Sequence, residues 1–210
     1  MHYSARDAVV SRATGYRYLH EAIDVLVDQA PDLYNALKGC QTQGMAHVIP
    51  DGTLIECDRA AGVRENGNDP WFSQKHEALD GNVQFLSASD GTPLWVSEVE
   101  PGSTPDISAA RIHALPVLYK AAAQGLPMPA DKSCIGAGIR VPARCPEGQS
   151  EQVLHVGTRT TNMLIRDLRA RGERTAAELK ERWRAQARHA QPEPDLRPRR
   201  AALVLNDHWK

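Results

Sequence analysis

The chain has 210 residues, 41% apolar, 5% aromatic and 24% charged, with a formal net charge of −1. That suits one compact soluble domain of about 150 residues with an appendage. No apolar run approaches the ~20 residues of a membrane span, and MHYSARDAVV has no apolar stretch of the secretory kind, so the expectation is a cytoplasmic protein, neither secreted nor in a membrane. Four cysteines without a CxxC pair point to reduced thiols rather than a disulfide scaffold or a cysteine zinc site.

Residues 4–38 read as helical. Ser11 is placed to cap a helix carrying Ala13, Tyr16, Leu19, Ile23 and Leu26 at helical spacing, and Pro31 stops it before PDLYNAL begins a second. VVSRATGYRYLHEAIDVL has the pattern of a turn and the recognition helix of a helix-turn-helix, with Arg12, Thr14 and Arg17 as the DNA-facing types. An ordinary amphipathic helix is the competing reading. MAHVIPDGTLIECDR carries an Asp-Gly pair between apolar stretches and reads as a hairpin; NVQFLSA, SDGT and PLWVSEVE read as another. PGSTPD then opens a helix that Pro116 kinks or divides, MPADK is a short strand candidate, and residues 150–189 are a long helical region. QPEPDLRPRR breaks it, and AALVLNDHW recovers a helix. Strands followed by alternating α and β elements predict a mixed sheet with helices on its faces.

Charge is uneven along this order. Residues 1–158 hold 12 Lys/Arg against 19 Asp/Glu, and residues 159–210 hold 13 against 7. Such a chain either holds cations in its body and phosphates at its end, or carries a solvated basic helix. Four acids fall at element ends or beside turns: Asp51, Asp106, Asp131 and Glu173. There a carboxylate can face a cleft and stay hydrated, although Asp is also a common turn and cap residue.

The run DGTLIECDRAAGVRENGNDPWFSQKH, then GNVQFLSASDGTPLWVSEVEPGSTPDISAARIHALPVLYKAAAQGLP and ADK, resembles the insertion-sequence transposases of the DDE superfamily, in the branch related to the Harbinger elements. Arg169, Glu173 and Lys180 stand in the register of the family's Y-x2-R-x3-E-x6-K helix, and the likeness covers about residues 8–185 and 201–206. The resemblance implies a ribonuclease H-like α/β fold, a mixed sheet flanked by helices, over 41–185. A partial helix-turn-helix would precede it in 1–40, and a divergent basic tail would follow in 186–210.

It further implies two divalent ions, Mg²⁺ or Mn²⁺, held by Asp51, Asp131 and Glu173, with Asp106 as a fourth ligand or as the second triad member. Arg169, Lys180 and Lys75 would meet DNA phosphates. The partner would be double-stranded DNA at transposon ends and target, engaged by a homodimer. The expected function is DNA transposition by end cleavage and strand transfer; a non-catalytic DNA-binding remnant is the alternative. Three departures from the family pattern fit a degenerate or truncated copy. Ser133-Cys134-Ile135-Gly136 replaces Gly-Tyr-x-Gly, Arg166 replaces the signature Tyr, and the tail from about Gln186 to Arg200 diverges.

Overall fold

In the computed structural model, which describes residues 10–57, 69–131, 141–182 and 197–208, Val48–Glu56 forms one unbroken strand, β1. It pairs antiparallel with β3 (Ala78–Ala88) in continuous register from Val48↔Ala88 to Glu56↔Asp80. The Asp51-Gly52 hairpin expected from the sequence is therefore absent, because nine consecutive pairings outweigh the local turn preference of the dipeptide. Gly52 leaves the Gln84 amide in place: a Cβ would lie 2.7 Å from its nitrogen, which donates to Asn82 Oδ1. The second hairpin forms as expected, with β4 (Pro93–Pro101) pairing β3 across a turn in which Gly91 takes φ 91°. A two-residue strand, β2 (Phe72–Ser73), extends the far end of β3 and completes four antiparallel strands among the described residues.

The pleat gives this sheet two faces. On one side Val48, Leu86 and Trp95 are buried under α2 (Leu33–Thr42), α3 (Asp106–His113) and α4 (Leu115–Ala123). Pro116 at the head of α4 marks the division foreseen in that helical stretch, since its ring pre-sets the φ of a first turn and needs no amide donor. On the other side Ile55, Val83, Phe85 and Val96 pack with Leu179 and Leu203. Those two come from α5 (Val156–Ala177) with its following wide turn Glu178–Arg182, and from α6 (Arg197–His208). The ribonuclease H-like α/β fold expected from the sequence is adopted, but the sheet, expected to be mixed, is antiparallel among the described residues, since β2, β3 and β4 follow one another through short connections rather than helical crossovers.

Two side chains fix α5 lengthwise. Thr175 Oγ1 donates to the Gly91 carbonyl at 2.6 Å and Arg171 Nη1 donates to the Ser89 carbonyl at 2.8 Å, so the helix is tied to the β3–β4 turn. Gly172 lets it approach the sheet, because a Cβ there would stand 2.9 Å from Ile49 Cγ2 on β1. The basic C-terminal region is partly used within the fold: Arg197 pairs with Asp24 at 3.0 Å and Arg200 with Glu98 at 2.6 Å. Such exposed pairs contribute little to stability, but they turn two of the basic residues back toward the acidic body.

Asp24 lies on α1 (Arg12–Asp28), whose Ser11 caps Thr14 as the sequence suggested. The helix that would precede α1 in a helix-turn-helix falls within residues 1–9, outside the described residues. The Ser133–Gly136 loop and residues 186–196 of the tail lie outside them as well. Among the described residues no disulfide joins Cys40, Cys57 and Cys145, and no helix is long and apolar enough to cross a membrane.

Candidate active site

β1 carries Asp51 on the face that α5 covers, opposite Phe85 of β3, and the Gly52 amide donates to its Oδ1 at 2.9 Å. The segment after α4 returns beside β1, where the Val48 amide donates to the Pro127 carbonyl at 3.1 Å, and this brings Asp131 alongside. From α5, Arg169 reaches between the two. Its Nη2 donates to Asp51 Oδ2 at 2.8 Å and its Nη1 to Asp131 Oδ1 at 3.2 Å. Three residues separated by 80 and 38 positions thus meet at one point.

The setting is half dry. The Arg169 side chain is 12% exposed and that of Asp51 17%, whereas Asp131 opens to solvent at 42%. Burial pushes the Asp51 carboxyl above its ordinary value; the Arg169 guanidinium and the Gly52 amide oppose that, and the neighbouring Asp131 carboxylate adds to it. The guanidinium between the two carboxylates thus works against the burial that favours the neutral form of Asp51.

Glu173 sits four residues beyond Arg169 on α5, on the same side of the helix and exposed. Lys180 is exposed in the turn that follows, close enough to Asp80 to act on its charge. Among the described residues no three His, Cys, Asp or Glu side chains are drawn together tightly enough to grip an ion. The donor chemistry nevertheless fits Mg²⁺ or Mn²⁺. Asp51 and Asp131 present hard carboxylate oxygens to a single cationic group, with Glu173 one turn further along the same helix.

Asp106 is not brought to this cluster. Its Oδ1 accepts from the Asn82 amide at 2.8 Å, and Asn82, opposite Leu54, points to the sheet face away from Asp51. Sequence spacing placed Asp106 at a helix start correctly but could not give its side of the sheet, which depends on strand parity. Lys75 stands on that other side too, lining a cavity of about 820 Å³ with Phe72, Asn82 and Asp106. Replacing Asp106 by alanine is accordingly expected to leave Mn²⁺ uptake unchanged while costing about 1 kcal/mol through Asn82. Titration with Mn²⁺ beside a melting curve checks this, and loss of uptake would return Asp106 to the ligand set.

Arg12 and Arg17 are exposed on α1, with their guanidinium groups 5.6 and 5.4 Å from the Tyr16 and Tyr18 rings. Arg17 also pairs with Glu21 at 3.6 Å. Thr14 is half-buried beside the Ser11 cap. Sequence reasoning did not foresee the role of Arg166: it makes a two-pronged pair with Glu151, Nη1 at 2.8 Å from Oε1 and Nη2 at 3.1 Å from Oε2, pinning the entry to α5. The fork geometry of Arg against a carboxylate explains how the helix start is held.

A family model described as DDE superfamily endonuclease matches residues 50–204, about three quarters of the chain. No curated protein and no solved structure matches it.

Proposed function

The chain belongs to the DDE superfamily endonuclease family, and from that premise we propose that it acts as a DNA transposase, nicking the ends of an insertion sequence and joining the freed strand to target DNA. The observation that carries this reading is the convergence of Asp51 and Asp131 on Arg169, in the helix that also bears Glu173. Asp51, Asp131 and Glu173 would hold two divalent ions, Mg²⁺ or Mn²⁺. When bound, such ions lower the cost of charge on the attacking and leaving oxygens of an in-line phosphodiester displacement.

The protein's own residues divide the remaining work. Asp51 is fixed in mid-strand, so its carboxylate supplies a rigid reference point. Asp131, more open to solvent, lies on the side from which a phosphodiester would arrive. Lys180 and the exposed arginines of α1 would neutralise backbone phosphates and set the register of the duplex. Pairing of two element ends would call for a homodimer.

A second reading, a non-catalytic DNA-binding remnant, is favoured by one feature: Arg166 in place of the signature tyrosine, locked onto Glu151. DNA binding and metal uptake separate the two. For a transposase, Asp131→Asn should abolish Mn²⁺ uptake while duplex affinity, falling with added salt, stays close to the parent's. Salt-dependent DNA binding with no Mn²⁺ uptake by the unaltered chain would support the remnant.

A further inference from the structure

We propose that Arg169 is the resident counter-cation of the Asp51–Asp131 pair and that a divalent ion loads only by displacing it, so that metal entry and release of the guanidinium are one exchange. This rests on the metal-site reading above. It assigns Arg169 a role distinct from phosphate contact, because in this structure its charge is already engaged.

Three observations carry it. Each terminal nitrogen of Arg169 takes one carboxylate, at 2.8 Å to Asp51 and 3.2 Å to Asp131, so the guanidinium occupies the oxygens a metal ion would need. The side chain is only 12% exposed and cannot turn to DNA without leaving those oxygens. Its Nε is buried and has no hydrogen-bond partner among the described residues. A permanently structural arginine is expected to satisfy every buried donor, and an unmade one is a standing cost of this pose. Among the described residues the two carboxylates alone hold the group, so a competitor of higher charge for those oxygens can release it. Without either cation, two carboxylates would face each other in a half-dry cleft, which is unfavourable. Arg169 therefore keeps the pair assembled until the ion arrives, at the expense of affinity for that ion.

The exchange is read without DNA cleavage. Free Mn²⁺ is followed by electron paramagnetic resonance as it is titrated into the full chain, into Arg169→Gln and into Arg169→Lys, and each protein is melted with EDTA and with Mn²⁺. Removing a positive charge beside a doubly charged ion should tighten Mn²⁺ binding by about tenfold or more in Arg169→Gln. The lysine variant, with one ammonium for two carboxylates, should fall between. Arg169→Gln should also melt lower than the parent in EDTA and gain more on adding Mn²⁺. Should the glutamine variant not melt cooperatively in EDTA, the lysine variant decides by the same comparison. Affinity equal to or weaker than the parent's in the folded variants overturns the exchange and leaves the metal site standing. No uptake by parent or variants overturns the metal site and the exchange together.

Discussion

Replacing Asp51 by asparagine is expected to abolish Mn²⁺-dependent nicking, with a rate loss of about 10³-fold or more. Stabilisation of transition-state charge by site metals amounts to several kcal/mol, and each 1.36 kcal/mol is a factor of ten. The change is nearly isosteric, and Asp131 remains to pair with Arg169, so the fold should survive. Burial already disfavours the charged form of Asp51, and an amide oxygen there can still accept from Arg169, so the loss of stability should stay below the about 3–5 kcal/mol of a buried pair broken outright. Nicking rates and melting temperatures measured on the same preparation separate the two effects. A variant that nicks within about threefold of the parent would remove Asp51 from the site, since no general acid–base or metal-ligand role is that small.

The second large effect concerns the seat of α5. Gly172 stands where a Cβ would come within 2.9 Å of Ile49 Cγ2, two residues along β1 from Asp51. Leucine there should destabilise the protein by about 2–3 kcal/mol, the upper range for overpacking a filled interior. In a chain of this size that lowers the melting temperature by about 5–10 °C. It should also lift Arg169 and Glu173 away from β1, so nicking is lost even at temperatures where the variant is folded. Alanine is the informative control. Its Cβ still meets the γ2 methyl of the fully buried, β-branched Ile49, but it adds one carbon instead of four, and the better helix propensity, about 1 kcal/mol, offsets part of the cost. Its loss should be clearly smaller than leucine's in both readouts. A leucine variant with the parent's melting temperature and activity would show that α5 does not depend on this close approach.

The family, the fold class and the β3–β4 hairpin were legible from sequence because each is written locally. Ordered motifs carry the first, alternating element patterns the second, and Ser-Asp-Gly-Thr needs one positive φ, which Gly91 supplies. The failures have a common origin in long-range register. Asp51-Gly52 has the composition of a turn, yet pairing with β3 extends it. That same register puts Asp51 toward α5 and Asn82, with Asp106, toward the opposite helices. A one-residue difference in parity decides the matter, and nothing near Asp106 in the chain encodes it. For Arg169 the family resemblance implies a phosphate contact and says nothing of its partners within the chain. Its partners lie 118 and 38 residues away, and such pairings follow only from the packed structure. The basic C-terminal region misleads similarly when taken as a patch, since Arg197 and Arg200 are turned onto Asp24 and Glu98.

Glu173 gives the most direct test of the central claim, that Asp51, Asp131 and Glu173 act together as one metal-dependent nuclease site. It is exposed and a single turn from Arg169, so Glu173→Gln changes charge with little disturbance to packing. The measurement is Mn²⁺-dependent nicking of DNA bearing the element's ends, run for the parent and this variant, with a cooperative melt recorded for both. The account expects nicking by the parent, none without Mn²⁺, and none by the variant at an unchanged melting temperature. Equal nicking by the two, or none by a parent that melts cooperatively, would contradict it.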